Sequence, residues 1–234
     1  MNDLKVNGSG SYSGGDFGKV IINGDATING DLSSEIFKVR GDSKVKGNAF
    51  IKKMSVMGDA VFAGDLAVGE LSVLGDIAVS GSADLGNSTI KGDITLDKYA
   101  KADDLILYGS LKAGHAFSAT SIEIKGDFTV KGDVETEKFH SIGKFKIGGL
   151  LNGERIEINP RFSKSYAKEI AGSTIIIQKK KELGMVFPFT KRGRVVADLI
   201  EGDHVYLEYT TAKIVRGKKV EIGPGCEIGL VEEI

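Results

Sequence analysis

The chain has 234 residues, 31 Lys and Arg against 32 Asp and Glu, and a formal net charge of -1, so there is no global electrostatic case for nucleic-acid binding. A lone cysteine, Cys226, excludes an intramolecular disulfide and suits a reducing compartment. No apolar run approaches membrane-spanning length, and the first residues lack the apolar stretch of a signal peptide, which sets the expectation of a cytoplasmic protein.

Residues 1–23 read as an N-terminal capping coil. Counted back from Gly24 in the repeat set out below, Val20 and Ile22 fall on its last two apolar places, Phe17 on place 11 and Gly15 on place 9. The pattern therefore reaches back by one coil with a degenerate first half. That half contains a Gly/Ser tract from Gly8 to Gly15. Such a tract suits a flexible linker, a phosphate cradle or an atypical terminal coil. It lacks Walker spacing with a following Lys-Ser/Thr, and no helical pattern comes after it, so the terminal coil is the reading taken.

From Gly24 to Asn159 the chain is a 17-residue repeat, run eight times without insertion or deletion. Glycine stands at 24, 41, 58, 75, 92, 109, 126 and 143, which is place 1. Asp follows at place 2 in Asp25, Asp42, Asp59, Asp76, Asp93 and Asp127. Apolar residues recur at places 3 and 5, 9 and 11, and 14 and 16, as in Ala60, Phe62, Leu66, Val68, Leu71 and Val73. Each pair has period two, the signature of a short strand with one buried face. The prediction is an all-β, single-stranded β-helix (a β-solenoid) with three sides per coil. One repeat buries nothing alone, whereas stacked repeats share a core. Glycine at a corner answers a need for positive φ or close backbone approach, and Asp beside it is expected to bond nearby N–H groups and shape the turn. At the ordinary strand spacing, eight coils rise about 38 Å.

Residues 160–234 read as an insertion followed by further coils and a C-terminal cap. Pro160 ends the array, and Arg161 to Ile170 have modest helical character. Thr174 to Ile177 read as a strand. A basic run between Lys179 and Arg194 reads as a solvated rim, with anionic lipid or nucleic acid as the alternative. It encloses Phe187 and Phe189, read either as an exposed patch or as cap core. Further apolar pairs are Val205 and Leu207, Ala212 and Ile214, Val220 and Ile222, then Cys226 and Ile228, with seventeen residues again from Val205 to Ile222.

The units Ile22-Asn23-Gly24-Asp25, Val39-Arg40-Gly41-Asp42, Ile124-Lys125-Gly126-Asp127 and Val130-Lys131-Gly132-Asp133 resemble the bactofilins, bacterial polymer-forming cytoskeletal proteins. The stretch Val220 to Ile228 resembles the tail of the longer Gram-positive type. The resemblance implies a right-handed β-helix and nucleotide-independent filaments assembled end to end. It also implies a scaffold role in cell shape, cell-wall synthesis or motility. The partner is then a second copy, with a paralogous bactofilin as the alternative. A Pro-rich flanking tail, a short apolar membrane-targeting peptide and the closing aromatic motif are not recognisable, so peripheral membrane contact has no support in the sequence.

Three enzyme or ligand classes were set against that reading. A hexapeptide-repeat acyltransferase requires a six-residue phase and a catalytic histidine, but the phase here is seventeen and His115, His140 and His204 are scattered. A polysaccharide-acting β-helix needs a carboxylate pair or metal cluster at one place, whereas the Asp column recurs in most coils and reads as corner chemistry. An ice-binding face needs a uniform Thr array, and place 4 is mixed. The expectation is a non-enzymatic, self-assembling protein with no catalytic residue, cofactor or metal site. Open solenoid ends offer unpaired strand edges and apolar core. The candidate self-assembly residues are Leu4, Val6 and Phe17 near one end, and Leu230 and Val231 near the other.

Overall fold

The computed structural model describes residues 2–161, 163–180 and 193–234. Among them every regular element is a strand, 21 in all. Segments one repeat apart pair in parallel, which requires each repeat to come full circle. The protein is a β-solenoid. Its chain divides into two compact units, Met1–Ser118 and Ala119–Ile234.

In the first unit the register is seventeen residues. Ala49 pairs with Leu66, Met54 with Leu71 and Val56 with Val73. Most of its coils have a short strand, such as Asp59–Phe62, and a longer one, such as Leu66–Val73, while Ala26–Val39 is one continuous strand and Ala83–Asp84 and Asn87–Ile90 split the longer one in two. The longer strand carries two of the three expected sides. Its inward and outward residues alternate, then Gly69 and Glu70 both face out, then alternation resumes. Only a bend toward the core keeps both halves buried on the same side. The corner is short enough to stay in the ladder, which is why two strands appear where three were expected. Phe37 and Phe62 meet in the core at 6.1 Å between ring centroids.

Every inward residue read from the eight repeats is buried, the polar ones included. Those hydroxyls are mostly satisfied locally: Ser88 Oγ donates to the Leu85 carbonyl at 2.7 Å and Thr136 Oγ1 to the Lys138 carbonyl at 3.1 Å. Each fully buried aliphatic side chain contributes about 1.5–3 kcal/mol relative to exposure.

The place 1 glycines are explained by close approach. A Cβ on Gly58 would strike the carbonyl oxygen of Gly41, and one on Gly92 that of Gly75, while neither glycine has positive φ. The Asp at place 2 does not shape the corner as expected. Asp42, Asp59, Asp76 and Asp93 stand exposed, each in register with the next. The corner bonds come from place 8 instead. Asp31 Oδ1 accepts the Asn48 N–H at 2.8 Å, Asn48 Oδ1 that of Asp65 at 2.9 Å, and Asp65 Oδ1 that of Ser82 at 2.8 Å. Each side chain reaches one coil ahead, so the partner is set by stacking rather than by local sequence.

At the start of this unit the Gly/Ser tract is neither frayed nor separate. It belongs to the strand Gly10–Ile22, in register with Ala26–Val39, and a further strand, Asn2–Val6, pairs with Phe17–Ile22. Gly15, placed inward by the count, is exposed, and Phe17 is only half-buried. Asn2–Val6 covers only the second half of that coil, which leaves the first half without a neighbour on one side. Tyr12, in register with Ile28, lies against Gly10, where a Cβ would sit 2.7 Å from its hydroxyl.

In the second unit the coil length varies. Ile156 pairs with Ile175, a step of nineteen, Ile175 with Val205, a step of thirty, and Val205 with Val220, a step of fifteen. The expected seventeen-residue step from Val205 to Ile222 is thus corrected: Ile222 pairs with Leu207. Ala212 forms its inward pair with the buried Thr210, so the next inward residue after the corner is Val215 rather than Ile214. The described residues of 161–170 hold no helix; a strand runs Lys164–Ile177, with Ala167 and Ile170 buried beside the ladder. A glycine column runs through these coils whatever their length. Gly153, Gly172, Gly202 and Gly217 are in register. A Cβ on Gly202 would strike the Gly172 carbonyl and stand 3.1 Å from Ile175 Cδ1. Phe187 and Phe189, with the rest of 181–192, lie outside the described residues.

Candidate assembly end

The last coil of the second unit is made by two strands, Thr210–Ile222 and Glu227–Glu233. Between them Gly223-Pro224-Gly225 form a turn, with Gly225 at φ 75 and the Tyr209 N–H donating to the Pro224 carbonyl at 3.0 Å. The stretch Ile222-Gly223-Pro224-Gly225-Cys226, superficially like one hexapeptide-repeat unit, spans this turn. Its one nucleophile, Cys226, is half-buried and bonds the Leu207 carbonyl at 3.3 Å. Burial pushes its thiol pKa up, against smaller lowering effects that include Arg194, so it stays protonated and poorly reactive.

Inward residues continue onto this coil but lose their cover. Val205 and Leu207 are buried, while their partners Val220 and Ile222 are half-buried and 44% exposed. Ile228 and Val231 follow Ala212 and Val215 in register, and Val231 is 43% exposed. Leu230 at 49% and Ile234 at 70% stand beside them. Here the same inward column ends as an apolar surface.

Two arginines fasten the last strand. Arg216 bridges Glu201 at 3.2 Å and Glu232 at 2.6 Å. Arg194 meets Glu227 at 2.8 Å and donates to the Gly225 carbonyl at 3.2 Å. Lysines of the same coil pair one coil back, Lys213 with Asp198 and Lys218 with Asp203. Such exposed pairs hold register more than they add stability.

Of the residues singled out from sequence, Val231 lies on this open inward column, and Leu230, in register with the half-buried corner residue Ile214, stands exposed next to it. Near the other end of the chain Leu4 and Phe17 are half-buried, and Val6 is buried at 1% exposure. Sequence reasoning passed over Ile222 and Ile234: Ile222 carries the inward pattern, and it is exposed because no described strand pairs beyond it. His115 and His204 are exposed and His140 is half-buried. Among the described residues no group of three or more His, Cys, Asp or Glu could hold a metal ion, and no helix is long and apolar enough to cross a membrane.

No family model matches the chain and no solved structure matches it. It is similar to the uncharacterized protein YhbF of Bacillus subtilis (strain 168), 46% identical over 84 residues, which is 36% of this chain and 34% of that protein. It is also similar to the uncharacterized protein YhbE of the same organism, 40% identical over 87 residues, 37% of each. The matched stretch thus spans about a third of the length of each relative.

Proposed function

We propose that the protein is a non-enzymatic structural scaffold of the bactofilin type. It assembles by pairing uncovered coils with a second copy, without nucleotide. The observation that carries this is the inward column left open on the last coil, where Ile222 and Val231 are 44% and 43% exposed. Unpaired strand groups and apolar side chains on one surface are what another coil covers. The regularity of the stack supports the same reading, since added coils repeat the spacing already present inside. A paralogue is the alternative partner for the same surface. The resemblance supplies the setting: cell shape, cell-wall synthesis or motility.

The test is negative-stain electron microscopy with sedimentation velocity on the whole chain, without nucleotide, over a range of concentration and salt. Filaments or discrete oligomers are expected, and Ile222→Asp or Val231→Asp should reduce them while the melting temperature holds. A monomer at every concentration would overturn self-assembly. So would assembly untouched by both substitutions, because the surface named here would then not be the one used.

A further inference from the structure

The first coil of the first unit and the last coil of the second unit are each half covered, and on opposite halves. Asn2–Val6 pairs with residues 17–22, and among the described residues no strand pairs with 10–15 on that edge. Glu227–Glu233 pairs with residues 211–217, and no described strand pairs beyond 218–222. Places in the repeat can be followed to both coils. Leu4 pairs with Val20 and Val20 with Phe37, so Leu4 and Val6 hold places 14 and 16. Ile156, at place 14, leads through Ile175 and Val205 to Val220, so Val220 and Ile222 hold the same two places. By the same count Glu227–Glu233 covers places 4 to 11. What either coil lacks, the other carries.

The side chains match at those places. Leu230 and Val231 stand exposed at places 8 and 9. There the first coil has Gly14 and Gly15, which bring no side chain against them. At place 15 both outward residues are exposed and of opposite charge, Lys5 on the first coil and Glu221 on the last. Two residues before them stand Asp3, whose Oδ1 accepts the Lys19 N–H at 2.9 Å, and Lys219, which lies 3.0 Å from Glu221. A strand carrying Asp3 and Lys5 laid beside Lys219 and Glu221 completes a square of alternating charge. Opposite charges facing each other on neighbouring strands are favourable.

We infer that the open last coil of one copy is covered by the first coil of the next, the two sharing one composite coil. This rests on the self-assembly reading above and names the surface of the second copy that meets the open coil. In the shared coil Asn2–Val6 of the next copy lies along residues 218–222, with Val6 in register with Ile222. Glu227–Glu233 in turn lies along residues 10–15 of the next copy. Both pairings are parallel, as are those within each end coil. Asn2 and Glu233 both reach place 11, so the chain tips, which are the least restrained residues, turn aside where they meet. A contact between unlike surfaces leaves one of each kind open on a joined pair, so it repeats beyond the pair.

The test is site-directed cross-linking of the whole chain. Lys5→Cys and Glu221→Cys are made in separate chains, each with Cys226→Ser, which removes the one native thiol and keeps a donor for the Leu207 carbonyl. Lys5 and Glu221 are exposed, and circular dichroism melts check that the variants stay folded. Each protein alone, and the two mixed, is treated with a short bismaleimide, and sedimentation velocity reports assembly in the same samples. A covalent dimer is expected from the mixture and from neither variant alone. Dimer from one variant alone would mean that like ends meet. That result, or no cross-link in any sample while sedimentation shows assembly, overturns this pairing and leaves self-assembly standing. Monomer at every concentration overturns both.

Discussion

Asn48 Oδ1 accepts the backbone N–H of Asp65 at 2.9 Å, one full coil along the chain. The Asn48 N–H is itself held by Asp31 at 2.8 Å, so the residue is a link in a side-chain ladder running along one corner. Asn48→Ala leaves the Asp65 N–H to water and should cost about 1 kcal/mol. Asn48→Asp keeps the acceptor and should recover most of it. Chemical denaturation of both variants checks this; equal loss in the two would mean that the ladder bond contributes nothing.

Gly92 faces the carbonyl of Gly75 so closely that no Cβ fits between coils, whereas nothing stands within 4 Å of a Cβ on Gly8. Gly92→Ala should therefore lower stability by about 2–4 kcal/mol through forced backbone displacement. Gly8→Ala should be close to neutral. Thermal melts of the pair test whether approach, rather than backbone freedom, is what place 1 requires.

Leu71 and Val73 are 3% and 0% exposed, and Leu74 beside them is 54% exposed. Leu71→Asp or Val73→Asp buries a charge without a partner and should unfold the coil, at a cost above about 4 kcal/mol. Leu74→Asp should change stability by less than about 0.5 kcal/mol. Normal melting of either inward variant would sink the inward assignment.

Lys218 Nζ lies 2.7 Å from Asp203 Oδ1. Its hydrogen bond, then its charge, hold the Asp203 carboxyl below the ordinary 3.8. A carboxyl depressed in the folded state adds stability above pH 3.8, and that contribution is lost as pH falls through the folded value. Lys218→Met should move the Asp203 titration back up toward 3.8, read by NMR of its carboxyl carbon. Because the pair is exposed, the melting temperature at neutral pH should barely change. An unmoved titration would show that the pair does not form in solution.

Much of this fold is legible in the residues themselves. Period-two apolar pairs locked to a seventeen-residue phase identify the inward face of all eight repeats, down to Ser34, Ser88 and Thr136. That works because one burial pattern repeats in every coil, so chance alternation at one place is outvoted by the column. The same logic fails in the second unit. There Val205 and Ile222 read as a step of seventeen, whereas the observed step of fifteen is set by the pairing of Val205 with Val220 on the neighbouring coil, which alternation alone does not mark.

The sequence by itself determined the class of fold, the coil period and which side chains face inward, because these follow from local alternation. Only the tertiary structure decided the rest. The place 8 side chains, rather than the place 2 carboxylates, close the corner, because their partners lie one coil away. Leu207 and Val215 are buried while their register partners Ile222 and Val231 are open, because exposure depends on whether another strand lies above. Burial of an inward residue is a property of its neighbour in the stack, and no residue's own identity reveals whether that neighbour is there.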